Sequence, residues 1–376
     1  MGNAYLVAAG MSKIGKREEN STELIIEAFR EVEVDPALID AVYVGVQSEV
    51  YEHQIMYGTL AAEALGLLPK EAYRVEACAA AGALAFRNAY LAVKSGEAHI
   101  AVAIGVEKMS AAGTEVATEA LMSASHYVDR ESGVTIPAHY AMVARRYMYE
   151  AGATEEDLCL VAVKNHQHAT YNPKAHFQRA ITLEECLKSR PVAKPLKLLD
   201  SAPISDGAAV AVVASEEAAR RFKDKVKILA SAVATDTLSV SQRPDIAWPT
   251  AVWEAAQKAY RQAKIEPRDV QVAEVHDAFT INEVLMYEAL GFARRKEGYK
   301  LVREGQTYIG GKIPINPSGG LKARGHPIGA TGLAQIYEIY LQLTGGAGKR
   351  LTNAKIGMTV NEGGVNSAVV IHIFSI

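Results

Sequence analysis

The chain has 376 residues, 49% of them hydrophobic, and a formal net charge of -3. Because single hydrophobic cores stop growing near roughly 250–300 residues, this length predicts two packed halves. The nearly neutral balance excludes an overall basic field for nucleic acid, although a local patch can still bind a small anion. We find no basic leader followed by an apolar run and no uninterrupted stretch of about 18 apolar residues, so we expect a soluble, cytoplasmic protein without membrane contact.

Strand-like and helix-like segments alternate along the whole chain, which predicts an α/β fold in layers. In the first half, the predicted strands are 41–46, 72–75, 100–104 and 208–213, and the predicted helices are 21–31, 82–93 and 137–151. In the second half, the predicted strands are 226–232, 272–276, 355–360 and 368–373, and the predicted helices are 249–263, 280–290 and 331–343.

Residues 111–203 are more polar and show weaker strand signals, which indicates a large excursion from the first half. We therefore predict an N-terminal half of residues 1–110 and 204–222, a loop domain of residues 111–203, and a C-terminal half of residues 223–376. The segment 164–179 (KNHQHATYNPKAHFQR) is locally basic, as is the stretch that follows it. This charge fits either a phosphate-bearing ligand or a solvated surface.

The three cysteines are Cys78, Cys159 and Cys186. Their odd number argues against a disulfide framework. No pair of His or Cys residues has a ligand spacing that a second pair matches, so we predict no metal site.

Cys78 lies where a predicted strand runs into a helix of small residues. A thiol at this junction would face the unpaired N–H groups and the positive end of the helix, which favour the thiolate and can hold an oxyanion. The alternative is a buried structural cysteine, because free cysteine is among the most buried residue types. The segment alone leaves both interpretations open.

His326 lies in a glycine-rich loop, residues 316–332 (NPSGGLKARGHPIGATG), that opens onto a predicted helix. The flanking Gly325 and Pro327 impose an unusual backbone path, which is typical of an imidazole that projects into a site. No Gly-Lys-Ser/Thr closes the glycines, so the loop does not match a nucleotide-binding P-loop.

Two further segments lie at strand ends. In the first, residues 274–280 (EVHDAFT), His276 and Asp277 can polarise a carbonyl or position water, or simply belong to a helix cap. In the second, residues 361–367 (NEGGVNS), the glycines permit a tight turn or close backbone approach to a ligand.

Together these segments resemble the thiolases, particularly the archaeal and sterol-carrier-protein-type branch, and the likeness spans essentially the whole chain. The GHPIGATG segment is the most specific part, supported by GVEKMS at 105–110, ISDGAA at 204–209 and GKIP at 311–314. The resemblance implies a five-layered αβαβα fold from two related βαβαβαββ halves with an inserted CoA-binding loop domain. It also implies acyl-CoA and CoA as substrates, no metal or redox cofactor, and homodimers or homotetramers.

Carried onto matching positions, the resemblance makes Cys78 the nucleophile that holds the acyl group and His326 the base that takes its proton. His276 would bind the thioester oxygen, and backbone N–H groups of Cys78 and Gly364 would form a second oxyanion site. We also expect three residues to contact the substrate: Asn316, Gly320 and Phe279.

The chain also departs from the pattern. Many relatives carry a second cysteine that moves the α-proton of the attacking acyl-CoA, whereas Ala278 and the cysteine-free segment 359–366 occupy the matching places. Val360 stands where related branches commonly carry a histidine, and Ala80 and Ala81 replace a common Ser-Gly. Acyl loading is therefore better supported than carbon–carbon bond formation. The substitutes that we considered for the missing cysteine are Asp277, Tyr127 and water.

Three functions compete at this point. The first is a CoA-dependent thiolase that condenses acyl-CoA or cleaves 3-oxoacyl-CoA, and the GHPIGATG loop favours it. The second is a decarboxylating ketoacyl-synthase-like enzyme, in which loss of CO2 generates the carbanion. The third is an acyl-CoA-binding subunit of a larger assembly, as in relatives that work with 3-hydroxy-3-methylglutaryl-CoA synthase and a small OB-fold acyl-CoA-binding protein.

Overall fold

The computed structural model describes residues 2–376. The strands are β1 (Ala4–Met11), β2 (Ala41–Gly45), β3 (Glu71–Val75), β4 (Ile100–Lys108), β5 (Pro191–Ala193), β6 (Leu196–Lys197), β7 (Asp206–Ser215), β8 (Val226–Thr235), β9 (Val272–Glu274), β10 (Ile356–Gly363) and β11 (Ala368–Ser375). The α-helices are α1 (Ser21–Phe29), α2 (Tyr57–Ala64), α3 (Ala81–Ser95), α4 (Gly113–Met122), α5 (Tyr127–Glu131), α6 (Ile136–Ala151), α7 (Glu155–Ala169), α8 (Leu183–Lys188), α9 (Thr250–Ala263), α10 (Thr280–Ala289), α11 (Gly298–Arg303), α12 (Gly320–Arg324) and α13 (Thr331–Thr344). Within the described range, no helix is long and apolar enough to cross a membrane.

Every predicted strand and helix is present, with ends that differ by a few residues. The local signals explain this agreement: Asn20 and Glu23, for example, form a capping box that starts α1. The pattern does not indicate β1, because its alanines and glycine have low strand propensity. It also does not indicate α7, because the polar residues Lys164, Asn165 and His166 lie on the buried side of that helix.

Two sets of strands build one large sheet. The first half contributes the order β3-β2-β4-β7-β1, and the second half contributes β8-β11-β10-β9. The sets meet where β1 pairs with β8, with Leu6 opposite Val226. Outward from the β1–β8 pair, the first half has the order β1, β7, β4, β2, β3, and the second half has the matching order β8, β11, β10, β9. The isolated bridge between Ala273 and Ile315 takes the place that β3 has in the first half. This internal symmetry fits two related halves, while the exact domain boundaries stay a prediction.

Helices lie outside and between the two sets of strands. Helices α1 and α2 pack on the outer face of the first half, and α9 and α10 pack on the outer face of the second half. Helices α3 and α13 pack between the halves, against apolar side chains from both sets of strands. The resulting order of helix, strand, helix, strand and helix layers confirms the predicted αβαβα fold.

The loop domain contains α4 to α8 and the short strands β5 and β6. Its helices α6 and α7 join the apolar core of the second half. Helix α4 packs instead in a small cluster with Ala79, Met109 and Ile328. The loop domain therefore covers the junction that carries Cys78.

In the first part of the basic segment 164–179, the side chains form neither a solvated surface nor a phosphate site. Lys164 is fully buried in α7, where its Nζ lies 2.8 Å from Glu283 Oε1 on α10. His166 and His168 are also buried, and burial lowers the pKa of these imidazoles to about 4 and about 3. These residues look like a basic surface in the sequence, but in α7 their side chains point into the protein and are buried.

The expectation of no disulfide is wrong, because Cys159 of α7 and Cys186 of α8 are bonded to each other. The two helices place the Cα atoms 5.7 Å apart, a normal separation for a disulfide. A count of cysteines carries no information about such packing. Asp200 lies close to this pair, so the three side chains have the atom types and spacing of metal ligands. The two sulfurs, however, are bonded to each other. The absence of a metal site stays a prediction.

We predict that Lys164→Met destabilises the fold by about 3–5 kcal/mol, because it leaves the Glu283 carboxylate buried without its cation. Thermal and urea unfolding measure the change. The matched control is Lys188→Met, since Lys188 pairs with Glu184 at a site where both side chains are about three-quarters exposed. The control should cost less than about 1 kcal/mol, and equal losses in the two variants would contradict the prediction.

Candidate active site

An apolar cavity of about 370 Å³ lies between the two halves and the loop domain. Aliphatic and aromatic side chains form most of its wall. Among its described lining residues, six carry titratable groups: Cys78, Tyr140, Arg190, His276, His326 and Glu362. Such a cavity with a few convergent polar groups is the usual form of an active site.

The structure brings most of the predicted site residues together. Cys78, His276, His326, Phe279 and Gly364 all line this cavity. Asn316 and Gly320 do not belong to the lining and lie behind it. Most of the predicted side chains therefore meet in one cavity, but Asn316 and Gly320, two of the three residues expected to contact the substrate, lie outside its lining.

Cys78 holds a strained backbone conformation between β3 and α3. Its φ is 51°, in the left-handed region that non-glycine residues rarely adopt. The end of β10 packs closely on this segment: a Cβ on Gly363 would lie 2.3 Å from the carbonyl oxygen of Ala77. Strain of this kind persists where the surrounding structure enforces it, often at functional residues.

The thiol of Cys78 is protonated at neutral pH. Burial raises its pKa to about 12, although hydrogen bonds from the backbone N–H groups of Ala79 and Gly364 act in the opposite direction. The amides favour the thiolate as expected, but desolvation of the charge outweighs them, so the expected thiolate does not form at neutral pH. The N–H of Cys78 itself donates to Glu76 Oε1 at 2.5 Å, so of the two predicted oxyanion donors only that of Gly364 points to the thiol.

His326 is held as a neutral base. Its Nδ1 lies 2.7 Å from Thr331 Oγ1, and that hydroxyl donates its single proton to the carbonyl of Pro327. The hydroxyl oxygen must then accept from Nδ1–H, which leaves the lone pair on Nε2. Burial, together with the neighbouring His276 and the charge of Arg324, keeps the pKa of His326 well below 6.5.

His276 has the opposite tautomer. The backbone N–H of Glu362 donates to its Nδ1 at 3.4 Å, and the amide of Asn361 lies 3.0 Å from the same atom. Because a backbone N–H can only donate, Nδ1 accepts and Nε2 carries the proton. Burial lowers the pKa of His276 to about 3, so this imidazole is a neutral donor. The rings of His276 and His326 are 5.2 Å apart and nearly perpendicular.

A buried ion pair connects the two histidine loops. Glu274 Oε2 lies 3.0 Å from Arg324 Nη1, and both side chains are fully buried. Glu274 precedes His276 by two residues, and Arg324 precedes His326 by two residues. Ser318 of the glycine-rich loop also donates to Glu274. The ion pair therefore fixes the position of one histidine relative to the other.

Asp277, Asn316 and Gly320 support the same loops. The carboxylate of Asp277 accepts from the N–H groups of Leu321 and Lys322. Asn316 accepts from the N–H of Val275 and donates to Glu283. A Cβ on Gly320 would lie 2.3 Å from Asp277 Oδ2, so glycine is required there for close packing and not for substrate contact.

Glu362 is a site residue that sequence reasoning missed. It is 2% exposed, and its carboxyl lines the cavity. The sequence does contain a signal for it, because Glu362 is the single charged residue of the strand segment MTVNEG. The glycines that follow it drew the sequence interpretation to the backbone and away from this carboxyl group. A carboxyl group in that position requires partners, because an unpaired buried charge is costly.

Residues 4–217 match the thiolase N-terminal domain, and residues 232–376 match the thiolase C-terminal domain-like family. The chain belongs to the thiolases. It is 44% identical to an acetyl-CoA acetyltransferase of Methanothermobacter thermautotrophicus, with both chains fully covered. It is 33% identical to sterol carrier protein 2 of Gallus gallus over 99% of this chain and 71% of that protein. The thiolase chain is thus an acyltransferase enzyme, as predicted.

A solved structure is similar over almost the full length. The Ltp2-ChsH2(DUF35) aldolase has a TM-score of 0.84 and 26% identity, covering 99% of this chain and 97% of that chain. The thiolase fold is therefore confirmed by three-dimensional structure as well as by sequence.

We predict that alkylation of this thiolase's Cys78 by iodoacetamide accelerates steadily from pH 7 to pH 10. The reactive species is the thiolate, and a pKa of about 12 leaves its fraction rising through this whole range. Intact-mass spectrometry without reductant should show one label per chain, since Cys78 is the single free cysteine of the described residues. Cys78→Ser is the control, and a rate that levels off at or below pH 9 would contradict the raised pKa.

Proposed function

We propose that this thiolase carries an acyl group on Cys78 as a thioester. In one direction it condenses two acyl-CoA molecules, and in the other it cleaves 3-oxoacyl-CoA with CoA. The observation that supports the proposal is the meeting of a protonated thiol, a neutral base and a neutral donor in one apolar cavity. The CoA thioester is the substrate, and the proposal assigns no step to a cofactor.

In the first half-reaction, the thiol of Cys78 gives its proton to Nε2 of His326 as the sulfur attacks the thioester carbon. A base is needed because the thiol does not ionise by itself at neutral pH. Negative charge develops on the thioester oxygen, where the Nε2–H of His276 or the N–H of Gly364 can donate to it. When the carbon–sulfur bond of the substrate breaks, His326 returns the proton to the departing CoA sulfur.

The low pKa of His326 suits both parts of this cycle. A neutral imidazole accepts the proton of Cys78 only while the charge on the sulfur is passing to the thioester oxygen. The imidazolium is destabilised by burial, so it readily gives the proton to the leaving thiolate. No charged pair then has to persist in the apolar cavity.

The wall of the cavity supports an acyl-CoA substrate. Phe279 and Tyr140 stack at 4.6 Å between ring centroids, and both line the cavity, which gives an apolar surface for the acyl or pantetheine chain. Arg190 is exposed where it lines the cavity. We assign it to the phosphate groups of CoA, because a guanidinium pairs well with phosphate at a cavity mouth.

We also propose that the chain works as a homodimer or homotetramer and can assemble with other proteins. The similarity to the Ltp2-ChsH2(DUF35) aldolase supports an assembly. 3-Hydroxy-3-methylglutaryl-CoA synthase and a small OB-fold acyl-CoA-binding protein are the proposed partners. Full thiolase activity of the purified chain alone would show that no partner is required for the chemistry.

We predict that Cys78→Ser lowers the rate of acetoacetyl-CoA cleavage by CoA at least about 10³-fold, because a serine hydroxyl cannot form the thioester and is a much weaker nucleophile at this pH. The assay follows loss of acetoacetyl-CoA and formation of acetyl-CoA. Iodoacetamide treatment of the unchanged chain should remove the activity to the same extent. Turnover of Cys78→Ser at the rate of the unchanged chain would remove the assignment.

We predict that Thr331→Val slows acyl loading of Cys78 by about 10-fold or more, because the hydroxyl that fixes the tautomer of His326 is lost. Thr331→Ser keeps the hydroxyl and is the matched control. Release of CoA in the first turnover with acetyl-CoA measures loading. Equal slowing in both variants would indicate a packing effect and would contradict the tautomer argument.

A further inference from the structure

Condensation needs a group that removes a proton from the α-carbon of the second acyl-CoA. Cys78 holds the first acyl group at that stage, so its sulfur is not available. No second thiol lines the cavity among the described residues, and Cys159 and Cys186 are bonded to each other in the loop domain. A different group must therefore take this proton.

Neither side chain considered from the sequence is placed for this role. The carboxylate of Asp277 lies behind the lining, where it accepts from two backbone N–H groups and from Asn165. Tyr127 is 60% exposed and does not belong to the described lining. Tyr140 does line the cavity, but burial raises its pKa well above 10, so it is a donor and not a base.

Glu362 has the required position. Its Oε1 accepts from the hydroxyl of Tyr140 at 2.5 Å and lies 3.4 Å from Nε2 of His276. Its Oε2 accepts from the N–H of Asn366 at 2.6 Å. These contacts hold the carboxyl beside the Nε2–H of His276, one of the two N–H groups that the proposed mechanism assigns to the thioester oxygen. The α-carbon of a thioester is only two bonds from that oxygen, so it would lie close to the carboxylate.

We propose that Glu362 is the catalytic residue that removes and returns the α-proton of the acyl-CoA, in place of a second cysteine. The proposal rests on the proposed thiolase function. In condensation, the α-proton passes to the carboxylate, and the electron pair of the C–H bond forms the new bond to the acyl carbon on Cys78. The bond between that carbon and the sulfur of Cys78 breaks, and the sulfur regains a proton from Glu362 directly or by way of His326.

Cleavage uses the same groups in reverse. The thiol of Cys78 adds to the 3-oxo carbon while its proton passes to Glu362, directly or by way of His326. The carbon–carbon bond then breaks, and Glu362 delivers that proton to the departing α-carbon. Burial raises the pKa of Glu362, although Tyr140, Asn366 and Arg243 act in the opposite direction. A higher pKa makes the carboxylate a stronger base for condensation and keeps the proton available for cleavage.

The test separates proton exchange at carbon from acyl loading. The unchanged chain and Glu362→Gln are each given acetyl-CoA in D2O, and deuterium in the methyl group is followed by NMR. Loading is measured on the same samples as exchange of labelled CoA into acetyl-CoA, which requires Cys78 but no change at carbon. A Gln side chain can accept from Asn366 and donate to the hydroxyl of Tyr140, so it preserves the contacts.

We expect Glu362→Gln to lose about 10²–10⁴-fold in methyl deuteration and in condensation, while loading changes by less than about 3-fold. The matched control is Glu288→Gln: Glu288 is also buried, accepts from the hydroxyl of Tyr147 at 2.5 Å and from the N–H of Gly298, and lies outside the cavity lining. It should retain both reactions. If Glu362→Gln does not fold, Glu362→Asp should reduce deuteration about 10-fold with loading kept, because its carboxylate is one methylene shorter.

Three results would overturn the proposal. Deuteration by Glu362→Gln, or by Glu362→Asp in its place, could remain within 3-fold of the unchanged chain. Loading could fall in parallel with deuteration, which would indicate a structural role. The unchanged chain could load Cys78 without deuterating the methyl group, which would leave acyl transfer intact but exclude a carboxylate base. Failure of the unchanged chain to load at all would instead contradict the proposed function itself.

Discussion

The buried ion pair between Glu274 and Arg324 is the constraint on which the site depends. It joins the loop after β9 to the glycine-rich loop, and each partner precedes a histidine by two residues. Two charges are costly to remove from water, and they stabilise only when geometry and extra hydrogen bonds repay that cost. Ser318 supplies such a bond to Glu274. The pair therefore links the two loops that carry His276 and His326.

Low polarity then decides the protonation of Cys78, His276 and His326. Desolvation keeps the thiol of Cys78 protonated and both imidazoles neutral. Because a charged group is destabilised in this cavity, the two imidazoles differ in their tautomer and not in their charge. Thr331 leaves a lone pair on Nε2 of His326, whereas the backbone N–H of Glu362 leaves a proton on Nε2 of His276. One imidazole can accept, and the other can donate, at the same pH.

The sequence predicts the layers and the three central side chains because their signals are local. Gly325 and Pro327 mark the loop of His326, and a run of small residues marks the helix after Cys78. The role of Glu362 is different, because it arises where the end of β10 meets the end of β9 and the loop domain supplies Tyr140. The disulfide and the buried Lys164 likewise depend on packing between helices that are distant in sequence. Asn316 and Gly320 belong to the right loop, but only three-dimensional structure shows that they face away from the cavity.

Desolvation also explains why the thiol stays protonated although the local sequence favours the thiolate. A helix end favours the thiolate, and amides of Ala79 and Gly364 do point to the sulfur. Burial raises the pKa of the thiol by more than these amides lower it, and burial cannot be read from the residues around Cys78. Because the thiol is protonated, a base is needed to take its proton. His326 fits this role, since its hydrogen bond to Thr331 fixes its tautomer.

The central claim is that the acyl group resides on Cys78. The most direct measurement is to mix the purified chain with acetyl-CoA, stop the reaction with acid, and locate the acetyl group by peptide mass spectrometry. We expect one acetyl group, on the peptide that contains Cys78, and its removal when CoA is added before the acid. Release of CoA without acetylated Cys78, or an acetyl group at another residue, would contradict it.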